Sequence, residues 1–281
     1  MTGLVETYRG GVTIQECDAF GHLNIAYYVE RFDDAAFSLM QRYAPGADLR
    51  TLGINTRYLE EFRAGDPIVI SSAVIAVEPA SLKLGHVASS GLGGPVTTVA
   101  EQILVLDEPD GEAWSVLSAA LQPEVSHWTA EPFAPIQLPE KDGPVATILN
   151  RVKPWEADRA GKLALFGFVD RFSTANLVNM NAAGMTSTYM QEQKRGFSTF
   201  ETRMELFAPF PAIGEGIAVA SGMLGLGNSS VKIMHVMRLA NSGRPLARMY
   251  QAGVHFDLEA RRSSPLPDQI RAKASSLIIA P

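Results

Sequence analysis

Cysteine is almost absent from this chain. Cys17 stands alone among 281 residues, so no disulfide can form within the chain, and a reducing compartment is the simpler expectation. Long apolar runs are also missing. No uninterrupted stretch approaches the roughly 20 residues that span a bilayer, and the opening MTGLVETYRGG carries no apolar segment of the kind found in a secretory leader. These absences predict a soluble, cytoplasmic protein with no membrane partner. Positive charge is sparse: 24 Lys and Arg stand against 30 Asp and Glu, giving a net charge of -6. With no dense basic stretch, nucleic acid is excluded as a partner, because phosphate neutralisation needs clustered cations. No group of His, Cys and carboxylates has metal-ligand spacing. No glycine-rich phosphate or dinucleotide loop follows a strand. Neither a metal nor another cofactor is expected.

What is present suffices for two cores. Hydrophobic residues make up 46% of the chain, and its length suits two domains of ordinary size. Prolines cluster at 123, 132, 135, 139, 144 and 154. Proline fixes φ and cannot donate to a ladder, so 122–159 is expected to be a linker between domains at 1–121 and 160–281. The flanking halves resemble each other. Ser81, Lys83 and His86 recur at the same spacing as Ser230, Lys232 and His235, with mostly apolar residues between, and Thr56-Arg57 recurs as Thr202-Arg203. This reads as duplication of a whole domain.

In the first half, Arg9–Gln15 is a strand candidate. Residues 26–43 place Tyr28, Phe32, Ala35, Leu39 and Tyr43 on one helical face, and Pro45-Gly46 ends that helix. Strands are expected near 53–63, 67–77, 81–90 and 96–107. The second half repeats this, with strands near 163–170, 198–208, 216–225, 229–239 and 245–257, and a short helix after Pro265-Leu266-Pro267. The fold class is α+β: in each half an antiparallel sheet wraps around a central helix. His86 and His235 share a strand face with apolar neighbours, which points to packing.

Chemistry concentrates in Glu16-Cys17-Asp18-Ala19-Phe20-Gly21-His22-Leu23-Asn24-Ile25-Ala26-Tyr27-Tyr28, between the first strand and the helix. A carboxylate in such a loop can attack an acyl carbon or activate water. The first amides of the following helix lack intrahelical partners and can polarise a carbonyl placed before them. Gly21 permits close approach of backbone to ligand. Each residue also has a plainer reading: Asp18 as a turn former, Asn24 as an N-cap, Tyr28 as packing, Cys17 as a small buried hydrophobe.

The segment resembles the D-x-x-G-H-x-N-x-x-x-Y signature of hotdog thioesterases of the 4-hydroxybenzoyl-CoA thioesterase type, with Asp18, Gly21, His22, Asn24 and Tyr28 in place and Ile25 where many relatives carry a second Asn. The resemblance implies a tandem, or double, hotdog that hydrolyses an acyl-CoA or acyl carrier protein thioester. It implies catalysis by Asp18, as nucleophile or general base, with His22 and Asn24, and substrate contacts at Gly21, Ile25 and Tyr28. It also implies further assembly into a homo-oligomer. A non-catalytic acyl-CoA-binding protein and a hotdog hydratase are the alternatives.

In the second half, one alignment sets Asp170, Phe172 and Asn176 against Asp18, Phe20 and Asn24, and a rival sets Asn179 and Asn181 against His22 and Asn24. Either way the second motif is degenerate, so one working site per chain is expected. Arg261 and Arg262 are candidates for phosphate contacts.

Overall fold

The computed structural model describes residues 3–106 and 111–279, so the end of the strand expected at 96–107 lies outside them. The chain divides into two compact units, Met1–Ala134 and Pro135–Pro281. The first contains β1 (Val5–Gly11), α1 (Ile25–Tyr43), β2 (Leu49–Tyr58), β3 (Pro67–Val77), β4 (Leu82–Ser90), β5 (Val96–Leu106) and α2 (Gly111–Leu121). Its strands pair antiparallel in the order β1-β3-β4-β5-β2.

Helix α1 forms because Asn24 caps it, its side chain accepting from the Ala26 amide at 3.0 Å, and because a buried stripe of Tyr28, Phe32, Ala35, Ala36, Leu39 and Met40 repeats at helical spacing. The lower end of this stripe packs with Val74, Leu82, Leu84 and Leu104 of the sheet and with Leu117 and Leu121 of α2.

The second unit contains β6 (Val145–Arg151), α3 (Leu165–Ala182), α4 (Ser187–Glu192), β7 (Arg195–Leu206), β8 (Gly216–Leu226), β9 (Ser230–Leu239), β10 (Pro245–Asp257), β11 (Arg262–Ser263) and α5 (Asp268–Ser275). The sheet order is β6-β8-β9-β10-β7, with β11 on β10. This is the order of the first unit. Each unit is thus an antiparallel sheet around one long helix, the hotdog arrangement written twice. Among the described residues, no helix is long and apolar enough to cross a membrane.

Three expectations need correction. The stretch 122–159 is not a free linker, since it contains β6, which begins the second copy. Its proline-rich part lies along the sheets. Ser126 donates to Val74 O at 2.8 Å, and the Trp128 indole donates to Glu101 at 3.0 Å while lying over Gly85. In the second unit, Asp142 accepts both arms of the Arg238 fork at 2.7 and 2.8 Å. Proline removes donors, but it does not stop an extended segment from spending its remaining ones on a sheet.

The strand expected at 163–170 is the start of α3, because a short apolar run reads alike in a strand and a buried helix. The Thr-Arg recurrence is two residues out of register. Thr56 and Arg57 face Ala100 and Val99, whose counterparts Met249 and Arg248 face Met204 and Glu205, not Thr202 and Arg203. The Ser-Lys-His recurrence does fall on equivalent strands, β4 and β9.

Candidate active site

Between β1 and α1 the chain makes a closed turn. The Asp18 amide donates to His22 O at 2.8 Å, the Gly21 amide returns to Asp18 O at 3.0 Å, and the Asn24 amide donates to Glu16 O at 2.9 Å. Gly21 sits at φ 77°, where a side chain would be strained. The Asp18 carboxylate fixes this turn: Oδ1 accepts the amides of Phe20 at 2.8 Å and His22 at 3.1 Å. Oδ2 takes no partner among the described residues, and Asp18 is exposed. Beneath the turn, Arg31 is nearly buried and donates to Glu16 Oε1 at 2.8 Å, Gly11 O and Tyr27 O. Against the opposing effect of burial, the Thr13 amide at 2.6 Å and then the Arg31 guanidinium hold the Glu16 carboxyl below its usual range.

The turn carries its functional groups to one place. His22 Nε2 lies 3.3 Å from Glu61 Oε2, with the His22 side chain 15% exposed and Glu61 34%. Leu23 and Asn24 lead directly into the helix, whose first amide, at Ile25, takes no partner among the described residues. Asp18, Gly21, His22, Asn24 and Ile25 are thus brought together. Tyr28 is not with them. It is buried, its hydroxyl accepts the Phe62 amide at 3.1 Å, and its ring packs edge-on to Tyr58 at 5.1 Å; burial raises its pKa. Cys17 gives its thiol to Thr13 O at 3.4 Å, and burial followed by the neighbouring Asp18 charge pushes its pKa up, which disfavours a thiolate.

Two sets of residues escaped the sequence reading. Glu61 lies 39 residues after His22, beyond any local motif, and strand pairing alone brings it back. The other is the set of polar partners around His86, itself expected only to pack, which form a buried chain beneath α1. Ser72 Oγ lies 2.7 Å from His86 Nδ1, His86 Nε2 lies 3.1 Å from Gln102 Oε1, and Gln102 Nε2 donates to Thr51 at 2.7 Å and reaches Asp33 at 3.4 Å. Since Gln102 spends its amide donors on Thr51 and Asp33, its carbonyl faces the imidazole. His86 is therefore the Nε2–H tautomer and accepts the Ser72 hydroxyl at Nδ1. Burial lowers the His86 pKa to about 4, consistent with a neutral ring. The second unit repeats the chain through Ser221, His235, Gln251 and Thr199.

The second unit also repeats the turn, but not where either sequence alignment placed it. Asp158 is the counterpart of Asp18: Oδ1 accepts the amides of Ala160 at 2.8 Å and Lys162 at 2.9 Å, Gly161 at φ 70° returns to Asp158 O, and Arg171 with Glu156 replaces Arg31 with Glu16. Asp170 and Asn176 lie on α3 instead, and Asn179 is fully buried. Burial raises the Asp170 pKa. Pro144 and Pro154 make this stretch read as linker and so hide the second turn in the sequence. Of the functional groups, Lys162 stands for His22, Ala164 for Asn24 and Phe210 for Glu61, the last fixed by the matching bonds of Leu23 to Phe62 O and Leu163 to Pro211 O.

The family model of the thioesterase-like superfamily matches residues 12–129 and again 152–274. The chain belongs to the thioesterase-like superfamily. Its enzyme class is accordingly thioester hydrolase. The two matches coincide with the two hotdog copies. No curated protein matches this thioesterase in sequence. Among solved structures, it is similar to one described as an oleoyl thioesterase from Lactobacillus plantarum, at 12% identity and TM-score 0.68, covering 94% of this chain and 97% of the other. A 12:0-ACP thioesterase from Umbellularia californica follows at 10% identity and TM-score 0.66, covering 90% and 94%. The acyl-CoA thioesterase II TesB2 from Mycobacterium marinum gives 14% and 0.55, covering 88% and 92%. At these identities the likeness is one of fold.

Proposed function

We propose that this thioesterase cleaves an acyl-CoA into a free carboxylic acid and CoA at the first turn, in the manner of the 4-hydroxybenzoyl-CoA thioesterase type. Asp18 supplies the carboxylate. Oδ1 is spent on the turn, which leaves Oδ2 to attack the acyl carbon or to take a proton from water. The Ile25 amide at the start of α1 faces the developing oxyanion, with the helix dipole behind it. His22, held by Glu61, orients the substrate or the water.

One observation carries this reading. Both units keep the Asp-x-x-Gly turn, yet His22, Glu61 and Asn24 occur in the first alone. The turn itself serves the fold in both units, and the first alone surrounds its carboxylate with a His, a Glu and an Asn that can serve a reaction. Asp18→Asn is the test, because an Asn oxygen still caps the turn while the charge is gone. Turnover of an acyl-CoA should fall at least about 100-fold, the scale of a positioned acid-base group, with the urea midpoint nearly unchanged. Full activity in a folded variant would defeat the assignment. Asp158→Asn should leave turnover within a factor of about 2, since its turn lacks the accompanying groups.

A second reading has its own support. Asp33, at the mouth of the buried chain, is replaced by Ser173 in the second unit, while Thr51 and Gln102 are matched. A carboxylate there, aimed by Gln102, would also activate water. Asp33→Asn with lost turnover and Asp18→Asn without it would favour this site. The protein is further expected to be cytoplasmic and to form a homo-oligomer, the latter checked by light scattering.

A further inference from the structure

We infer that Tyr28 is a positioning residue for the reaction: its hydroxyl pins the backbone at Phe62 and so fixes Glu61 against His22. This deepens the proposed function and rests on the reading that His22 and Glu61 serve the reaction at the first turn. Phe62 is buried, and its backbone is tied on both sides. Its N–H donates to the Tyr28 hydroxyl at 3.1 Å, and its carbonyl accepts the Leu23 amide at 2.9 Å. Glu61 is the residue before Phe62, and His22 is the residue before Leu23. One residue therefore joins the loop that carries Glu61 both to the turn that carries His22 and to the start of α1. Across this join His22 Nε2 lies 3.3 Å from Glu61 Oε2. Burial raises the Tyr28 pKa, so the hydroxyl stays protonated and moves no proton itself.

The second unit shows that the fold does not need this tie. Tyr28 and Phe168 are equivalent, since Arg31 donates to Tyr27 O and Arg171 to Gly167 O, one turn back in each helix. The Leu163 amide still donates to Pro211 O at 2.9 Å, as the Leu23 amide does to Phe62 O. The other half of the tie is gone at both ends. Phe168 has no hydroxyl, and Pro211 has no N–H. Neither loss is cheap alone. A Phe opposite the N–H would orphan a buried donor, and a Pro opposite the Tyr would take away the partner of a buried hydroxyl. Phe210, in the place of Glu61, instead packs edge-on to Phe168 with ring centres 5.2 Å apart. The closed turn forms there all the same, on Asp158. Hydroxyl and amide are thus present together where His22 and Glu61 stand, and absent together where Lys162 and Phe210 replace them. What the tie adds in the first unit is the placement of Glu61.

The test is Tyr28→Phe, which removes the hydroxyl and little else. At saturating acyl-CoA, kcat should fall about tenfold, the order expected when a positioned group drifts, while KM stays within a factor of about 2. A merely structural role predicts a lower urea midpoint with kcat unchanged. A double-variant cycle asks whether Tyr28 acts through Glu61. If it does, adding Tyr28→Phe to Glu61→Gln costs no further kcat. Amide hydrogen exchange followed by NMR needs no substrate. The Phe62 amide should exchange at least about tenfold faster in Tyr28→Phe, with the Leu163 amide at its native rate. Should Tyr28→Phe fold poorly, an ester replacing the Phe62 amide deletes the donor instead, as Pro211 does, and should give the same loss of kcat. Exchange is read without turnover, so it stands even if Asp18 is not the catalytic carboxylate. An unchanged kcat, losses that multiply in the double variant, or a Phe62 amide that exchanges at its native rate would each overturn the inference.

Discussion

In the proposed mechanism Asp18 carries two duties on two oxygens. Oδ1 holds the turn, as it does for Asp158 in the second unit, and the proposal gives the chemistry to Oδ2. Asp18→Ala should therefore cost stability as well as turnover, with about 1 kcal/mol lost from the capped amides. Asp18→Asn should cost turnover alone. In the same proposal Glu61 holds His22. Glu61→Gln keeps an oxygen near His22 but removes the charge beside the ring, so kcat should fall about tenfold or more. An unchanged kcat would mean that the pair takes no part in the reaction. The local signature of Asp18, Gly21, His22 and Asn24 was readable because these residues are adjacent. Glu61 was not, because β-pairing brings it home from far along the chain.

At the level of elements, the two closed turns rest on buried ion pairs. Arg171 is 2% exposed in its side chain; its Nη2 donates to both Glu156 and Arg151 O, Nη1 to Gly167 O and Nε to Asn150. Glu156→Gln removes the countercharge and leaves the guanidinium buried, which should destabilise by about 3–5 kcal/mol, read from the urea midpoint. Arg31→Met with Glu16→Leu, replacing the whole pair, should be far milder than either single change. The proline-rich segment makes its own prediction. A Cβ at Gly85 would fall 2.6 Å from the Trp128 ring, so Gly85→Ala should displace the indole and expose residues 126–134 to proteolysis. Strands, α1 and the Ser-Lys-His repeat were legible from periodicity and spacing. The start of α3 and the true second turn were not. Their apolar run fits either period, and prolines masked a segment that nonetheless pairs.

For the molecule as a whole, the two buried imidazoles set an acid limit. His86 and His235 are held neutral by burial, each with its pKa lowered to about 4 from the ordinary value of 6.5. Below about pH 6.5 the unfolded chain takes up protons at both sites while the folded chain does not. Stability should thus be level above that pH and decline as pH falls towards about 4. Urea midpoints measured across this range test it, and a flat profile would show that the rings are charged in the fold. The fold class followed from the repeated helix-and-strand pattern, and the family match covers both copies. Duplication within one chain has a further consequence. Where two identical subunits assemble, every substitution is made twice and lands in both copies, so a change that helps at one turn must be tolerated at the other. Here Lys162 and His22 are separate letters of one gene product. One copy is free to keep His22, Glu61 and Asn24 while its twin holds Lys162, Phe210 and Ala164 at the matching places, a divergence that identical subunits could not sustain.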